Sequence, residues 1–298
     1  MTSAAVLFNP ARVASRSALR AQLHHQLQRA GWPEPTWIET DHQGGEQERL
    51  REALAGGVKV VFACGGDGTV ARAIQALAAA EDVALAVVPM GSGNVLARNL
   101  GVPREPPAAI QVAIQGTTRR IDLGQVDGIR FAVAAGMGLD AQMLADAPRL
   151  AKRLLGWAAY VPSGLRHLSE PEFRVEITID GSVPISRLAR SVVIANVGQM
   201  PGGIRLLPTA VADDGLLDVA VIAPRQLRDW LRIGVRLGLR HPDGVGLESF
   251  RGAVVELSTD RALPREVDGE PIPSASTMAA RTLPGALLVC VPAATART

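Results

Sequence analysis

Two glycine-rich turns hold the residues best suited to chemistry. The first, Gly65-Gly66-Asp67-Gly68-Thr69, follows the apolar run Val60-Val61-Phe62-Ala63-Cys64 and precedes a helical pattern over Val70 to Ala80. The second, Gly91-Ser92-Gly93-Asn94, follows the buried-strand pattern of Val83 to Val88 and precedes a helical pattern over Val95 to Leu100. Strand, glycine turn and helix together present bare backbone N–H groups to a phosphate. Glycine permits both the close approach and a positive φ. Asp67 is the odd member, because an anion beside a phosphate repels it. A divalent metal between them, held by hard oxygen ligands, is the remedy the residues suggest. The plainer alternative is an ordinary βα turn with a solvated aspartate. Neither turn contains a lysine, and Lys59 and Lys152 are the only ones in the chain, so phosphates must be held by backbone, hydroxyls, arginine or metal.

Two carboxylate centres come later. Pro208-Thr209-Ala210-Val211-Ala212-Asp213-Asp214-Gly215-Leu216-Leu217-Asp218 is an acidic turn before a strand. There Asp214 and nearby carbonyls offer hard ligands to a cation. Asp268-Gly269-Glu270 is the second centre. Phosphoryl transfer to an alcohol needs a proton acceptor near the hydroxyl. Each centre also reads as a plain Asp-Gly turn, common without metal or catalysis.

The elements that must position these groups follow a βα alternation through residue 120. Strands are expected at Ala4 to Phe8, Thr36 to Thr40, Val58 to Ala63 and Ala84 to Val88, with helices at Val13 to Ala30, Glu46 to Ala55 and Pro107 to Gln115. That alternation predicts a doubly wound parallel α/β domain, with ligands at the carboxyl ends of its strands. Asn9 and Thr40 end the first two strands at the same edge as the glycine turns. Beyond residue 120 strand signals dominate: Ile129 to Ala135, Phe173 to Ile179 before Asp180-Gly181, Ser191 to Val197, Leu217 to Ile222, Ala253 to Ser258 and Leu287 to Val291. A helical stretch over 141–168 interrupts them. The second half is expected to be an antiparallel β domain, with the boundary near residues 118 to 123.

Composition limits the partners. Hydrophobic residues make up 47% of 298, enough for a sizeable core, and a net charge of +2 is too small to argue for nucleic acid. The short apolar run at the N-terminus does not resemble a signal peptide, and no run of roughly 18 apolar residues predicts a membrane span. A cytoplasmic protein is expected, with Cys64 and Cys290 as buried thiols. Arg225, Arg228, Arg232, Arg236 and Arg240 recur at helical spacing opposite Leu227, Trp230, Leu231 and Leu237. Such a basic amphipathic helix suits an anionic membrane surface, or equally a surface helix with its apolar stripe in the core. Arg149, Lys152, Arg153 and Trp157 form a smaller patch of the same kind.

Taken together, Asn9-Pro10, Gly65-Gly66-Asp67-Gly68-Thr69, Gly91-Ser92-Gly93-Asn94, Pro208 with Asp214-Gly215-Leu216-Leu217-Asp218, and Asp268-Gly269-Glu270 resemble, in order, the diacylglycerol kinase catalytic family. The similarity is to its bacterial soluble lipid-kinase branch, which is related to sphingosine kinases. It implies an N-terminal nucleotide-binding α/β domain, 1–122, of the NAD kinase and diacylglycerol kinase type. A C-terminal, antiparallel β-sandwich-like lipid-substrate domain, 123–298, would follow, with a final strand near 287–298 returning to the first domain. The resemblance further implies an ATP- and magnesium-dependent kinase acting on a diacylglycerol-like or sphingoid hydroxyl at the inner face of the membrane.

Carried over residue by residue, Asn9, Thr40, Gly65, Gly66, Asp67, Gly68, Thr69, Gly91, Ser92, Gly93 and Asn94 would surround ATP. Asp214 and the carbonyls of Val211 and Leu216 would hold a structural magnesium. Glu270 would be the base, Asp268 would order the site, and Asp67 would help hold the catalytic magnesium. In sphingosine kinases the equivalent of Asp67 is itself a proposed base, so the two roles exchange. Departures from the pattern are Ala71-Arg72 where the family has Asn-Glu, Val95 where it has Asp, and the lack of a glycine closely following Asn9-Pro10, with a milder change at Ser92 where it usually has Thr. The first two leave open a catalytically impaired lipid-binding homologue, and the first glycine motif alone is shared with NAD kinases.

Overall fold

The computed structural model describes every residue except 1, 14, 41–44, 81, 139–171, 204, 224–246 and 294–298. Its contacts divide the chain into two compact units, residues 1–121 with 285–298, and residues 122–284.

The first unit runs β1 (Ala4–Phe8), α1 (Arg16–Arg29), β2 (Thr36–Glu39), α2 (Gly45–Ala55), β3 (Val60–Gly65), α3 (Asp67–Ala76), β4 (Ala84–Pro89), α4 (Val95–Asn99) and α5 (Pro106–Gln115), then the start of β5 (Thr117–Val126). β2, β1, β3 and β4 lie side by side in parallel. All residues of β1, β3 and β4 are buried, as expected of parallel strands covered on both faces. α1 is capped by Ser15, whose hydroxyl accepts from the Ala18 amide, and it buries Leu19, Leu23 and Leu27 at a spacing of four. Gly31, at φ +72°, ends it. α3 begins at Asp67, three residues before its apolar pattern does, so Asp67, Gly68 and Thr69 form a first helical turn rather than a loop.

The second unit contains β6 (Ile129–Phe131), β7 (Ala134–Gly138), β8 (Phe173–Ile179), β9 (Ile185–Ala189), β10 (Ser191–Ala195), β11 (Leu217–Ile222), β12 (Leu247–Gly252), β13 (Val254–Val267) and most of β14 (Glu270–Val291). Antiparallel pairing orders β12, β11, β10, β7 and β13, and β13 also pairs β8 and β14. Phe131, Met137, Phe173, Val175, Ile177, Val192, Ile194, Val219 and Leu257 share one core. The last residues of β14 return to the first unit, where Leu288 and Val289 pair in parallel with Ala84 and Leu85.

Several strand expectations change. The expected strand Ile129 to Ala135 is two strands, β6 and β7, broken at Ala132-Val133, whose amides turn away to a side chain described below. β13 continues nine residues past Ser258 through register shifts at Ser258/Leu263 and Leu263/Arg265. β14 starts at Glu270 rather than Leu287, its length hidden in the sequence by Pro271, Pro273 and Pro284. β9 and β12 carry no clean alternation and were not anticipated. The expected helix over 141–168, with Arg149, Lys152, Arg153 and Trp157, and the Arg225 to Arg240 helix lie outside the described residues. Cys64 and Cys290 are buried free thiols, and burial raises both pKa values, that of Cys290 to about 11.

Arg265 holds the long hairpin. It is buried, and its guanidinium donates to Asp127 Oδ2 at 2.7 Å and to the carbonyls of Pro273 at 2.8 Å and Thr277 at 3.3 Å. Arg265→Met keeps the bulk and removes the donors. It should cost about 1–3 kcal/mol, the scale of leaving buried acceptors unpaired. Chemical denaturation measures this, and an unchanged midpoint would show that the carbonyls find other donors.

Candidate active site

The glycine turns of the first unit are locked together by one carboxylate. Asp67 Oδ2 accepts from the Asn94 amide at 2.9 Å, and Oδ1 accepts from the Val95 amide at 2.6 Å. Asn94 closes its own turn, accepting from the Gly91 amide at 2.9 Å and donating to the Gly91 carbonyl at 2.7 Å. It does so at φ +49°, a left-handed conformation that asparagine tolerates. Packing demands the glycines here. A Cβ on Gly91 would lie 2.6 Å from Gly66 Cα, a Cβ on Gly93 would strike the Asp67 carboxylate, and a Cβ on Gly65 would strike the Thr69 side chain. Gly66 is itself the α3 N-cap.

This arrangement leaves donors over. Among the described residues, the amides of Gly66, Asp67, Gly68, Ser92 and Gly93 donate to no partner, and the Ser92 hydroxyl makes no hydrogen bond. Thr69 Oγ1 is buried without one. Free N–H groups at the start of a ten-residue helix and on the adjoining turn suit an anion. Asp67 presents less of an obstacle than its charge suggests, because both oxygens are already directed at amides. Each oxygen retains a further lone pair, so the carboxylate can still meet a magnesium ion carried by a nucleotide. The other expected nucleotide contacts stand at strand ends. Asn9 Oδ1 accepts from the Ala11 amide at 2.9 Å and its backbone N–H reaches the Cys64 carbonyl. Thr40 is buried, its amide bonded to the Phe8 carbonyl at 2.9 Å. The pocket of about 460 Å³ lined by His25, Gln26, Arg29, Gln111 and Gln115 includes no residue of either turn.

The departures at Ala71-Arg72 and Val95 are absorbed locally. Arg72 lies 3.5 Å from the carboxylate of Glu46, which is buried in the first turn of α2, and the Arg72 carbonyl accepts from Gln47. Val95 contributes its amide to Asp67 and buries its side chain.

In the second unit Asp268 and Glu270 part company. Asp268-Gly269 is a two-residue hairpin turn with φ +48° and +82°, since Val267 pairs with Glu270. The Asp268 carboxylate accepts from the amides of Ala132 at 3.0 Å, Val133 at 2.9 Å and Ala134 at 3.1 Å. It is fully engaged in pinning the turn to the β6–β7 break. Glu270, one residue past the turn, is exposed, and its carboxylate makes no hydrogen bond or ion pair among the described residues.

The acidic turn is held by groups that sequence reasoning passed over. Asp122 is buried, and its Oδ2 accepts from the Gly215 amide at 2.6 Å. Asn196 donates to the Asp122 carbonyl at 2.8 Å and the Ala132 carbonyl at 3.2 Å. A charged residue within the buried run Ile121-Asp122-Leu123-Gly124 was the available signal. Asp214 Oδ1 accepts from the Leu216 amide at 3.1 Å, and its Oδ2 is paired with Arg251. That pairing does not fit a metal on Asp214 with the Val211 and Leu216 carbonyls, because the guanidinium already neutralises the carboxylate and its positive charge would repel a second cation beside it. No cluster of three acidic, histidine or cysteine side chains suited to a metal occurs among the described residues.

Asp67→Ala should free the second turn from the first. Loss of hydrogen bonds to a charged acceptor costs about 1.5–3 kcal/mol. Exchange of the Asn94 and Val95 amides with solvent should therefore rise by roughly 10-fold or more. Unchanged exchange would show that the turn is held by Asn94 alone.

Comparison with known proteins agrees with this anatomy. The Diacylglycerol kinase catalytic domain model matches residues 3–126, and the YegS C-terminal NAD kinase beta sandwich-like domain model matches residues 132–291. A protein of Pseudomonas syringae pv. syringae named "Probable lipid kinase YegS-like" is 36% identical over 268 residues, 84% of this chain and 82% of its own. One of the same name from Chromohalobacter salexigens is 34% identical over 278 residues, 90% of this chain and 85% of its own. A crystal structure of a diacylglycerol kinase from Bacillus anthracis str. Sterne shares the fold, with a TM-score of 0.72 at 20% identity over 97% of this chain and 96% of that one. An Archaeoglobus fulgidus NAD kinase in complex with ATP is more distant, at 0.53 and 11% identity over 97% and 93%. With both domain models matched in order and relatives above 30% identity over more than four-fifths of both chains, the chain belongs to the YegS-like family of diacylglycerol kinase-type proteins.

Proposed function

We propose that this protein is a lipid kinase that transfers the γ-phosphate of ATP, with magnesium, to a hydroxyl of a diacylglycerol-like or sphingoid lipid. The observation that carries the reading is the set of unpaired amides on the two glycine turns, held open by Asp67. Those amides and the Ser92 hydroxyl bind the nucleotide phosphates, with Asn9 and Thr40 at the neighbouring strand ends. Asp67 holds the second turn in register and keeps a lone pair for the nucleotide's metal. Magnesium, when bound with ATP, supplies the positive charge that the lysine-free turns lack.

The lipid hydroxyl oxygen forms the new bond to the γ-phosphorus. The bond to the β–γ bridging oxygen breaks, and ADP leaves with that electron pair. Glu270 accepts the hydroxyl proton. Its exposure and its freedom from ion pairs suit that role, whereas Asp268, with three amide donors, is a positioning residue. The family's lipid-kinase names and the late Asp-Gly-Glu support a lipid rather than a dinucleotide acceptor. No helix among the described residues is long and apolar enough to cross a membrane. The Arg225 to Arg240 segment, with its separated arginine and Trp/Leu positions, is proposed as the contact with the inner membrane face.

Labelled ATP offered with a panel of lipids and with NAD tests the reading. Label should move to lipid. Transfer to NAD would indicate the dinucleotide kinase activity, and no transfer to either would indicate a lipid-binding protein without catalysis. Glu270→Gln should bind ATP normally and lose about 100-fold or more in turnover, the scale of general-base removal. Asp67→Asn should instead bind ATP poorly, because an amide would oppose one of the N–H groups it now accepts from. Near-normal turnover in Glu270→Gln would transfer the base role to Asp67. Reversing Arg228, Arg232 and Arg236 to Glu should weaken binding to anionic vesicles at low salt and leave neutral vesicles little affected.

A further inference from the structure

The Asp214 turn disagrees with the metal that the family pattern implies there, and the disagreement has a specific cause. Arg251 in β12 stands directly across from Asp218 in β11. Its Nε lies 3.4 Å from Asp218 Oδ2, and its Nη2 pairs with Asp214 Oδ2 and approaches the Thr209 carbonyl at 3.5 Å. Thr209 in turn donates to Asp218 Oδ1 at 3.1 Å. Asp218 is buried, and burial, followed by the neighbouring charge of Asp214, pushes its carboxyl pKa up against the opposing pull of Thr209 and Arg251. One guanidinium thus hydrogen-bonds Asp214, approaches the Thr209 carbonyl and forms an ion pair with Asp218 Oδ2, which is buried and makes no hydrogen bond of its own. The cross-strand register sets the Arg251 backbone opposite Asp218, which puts both carboxylates within reach of its side chain. A guanidinium remains charged at any working pH and offers several donors in a fixed fork. The remaining oxygen of Asp214 is taken by the Leu216 amide, and the Gly215 amide by Asp122.

We propose that Arg251 is the built-in cation of this turn, and that residues 209–218 fold without a divalent metal. The proposal is independent of the lipid-kinase reading. Under that reading, it confines the magnesium requirement to the nucleotide.

The test uses the whole protein without nucleotide. Manganese(II) added to the wild type should leave the Gly215 and Leu216 amide resonances unbroadened. Saturable broadening of these two amides would place a metal on Asp214 and overturn the proposal. In thermal unfolding, Arg251→Ala should lose roughly 2–6 °C in the presence of chelator. Magnesium should restore part of that loss, because the vacated carboxylates become a cation site, and Arg251→Lys should retain part of the stability without metal. Asp214→Ala should leave any magnesium response of the wild type unchanged. A wild-type magnesium response that disappears in Asp214→Ala and persists in Asp67→Asn would also overturn the proposal.

Discussion

The glycine-turn edge of the first unit depends on one interaction, the Asp67 carboxylate received by the Asn94 and Val95 amides. It joins the start of α3, after β3, to the start of α4, after β4. Hydrogen bonds to a charged acceptor are roughly twice as strong as neutral ones. This one also fixes which amides are used up and which remain. The donors of Asn94 and Val95 face Asp67, while those of Gly66, Gly68, Ser92 and Gly93 have no partner among the described residues. The glycines follow from the same constraint. Gly91 passes too close to Gly66 to carry a side chain, and Gly93 must leave room for the carboxylate.

The same device recurs through the chain. Asp268 gathers three amides at the β6–β7 break, Asp122 takes the Gly215 amide, and Asp180 takes the Val254 amide at 2.7 Å. In each case an aspartate, at a turn or, for Asp122, within a strand, secures a backbone segment distant in sequence. Loops fixed this way sacrifice little flexibility to long side chains, since aspartate has few rotamers to lose. These aspartates hold the structure, whereas the exposed Glu270 carboxylate makes no hydrogen bond among the described residues.

The sequence made the parallel domain legible because its signals are strong and local. The apolar runs of β1 and β3, the leucine spacing of α1 and the two glycine turns each specify their own element. The second domain was read less completely. Pro271, Pro273 and Pro284 disguised β14, and Thr259-Asp260-Arg261 disguised the middle of β13. The family motifs located Asp67, Asp214 and Asp268, but a motif records a residue type and not its partner. That Asp67 faces an amide pair depends on contacts 27 and 28 residues away. That Arg251 faces Asp214 depends on the pairing of β11 with β12, 37 residues apart in sequence. Asp122 was visible only as a charge in an apolar strand, which local periodicity treats as noise.

The claim most in need of a direct measurement is that the two turns form the phosphate-binding floor. Titrating ATP with magnesium into the isotopically labelled protein, and following backbone amide resonances, addresses it without requiring the lipid. The resonances of Gly66, Gly68, Ser92 and Gly93 should shift together and saturate with a common affinity, while those of Asn94 and Val95, held by Asp67, should shift less. Saturable ATP binding that moves amides elsewhere and leaves both turns unchanged would contradict the account.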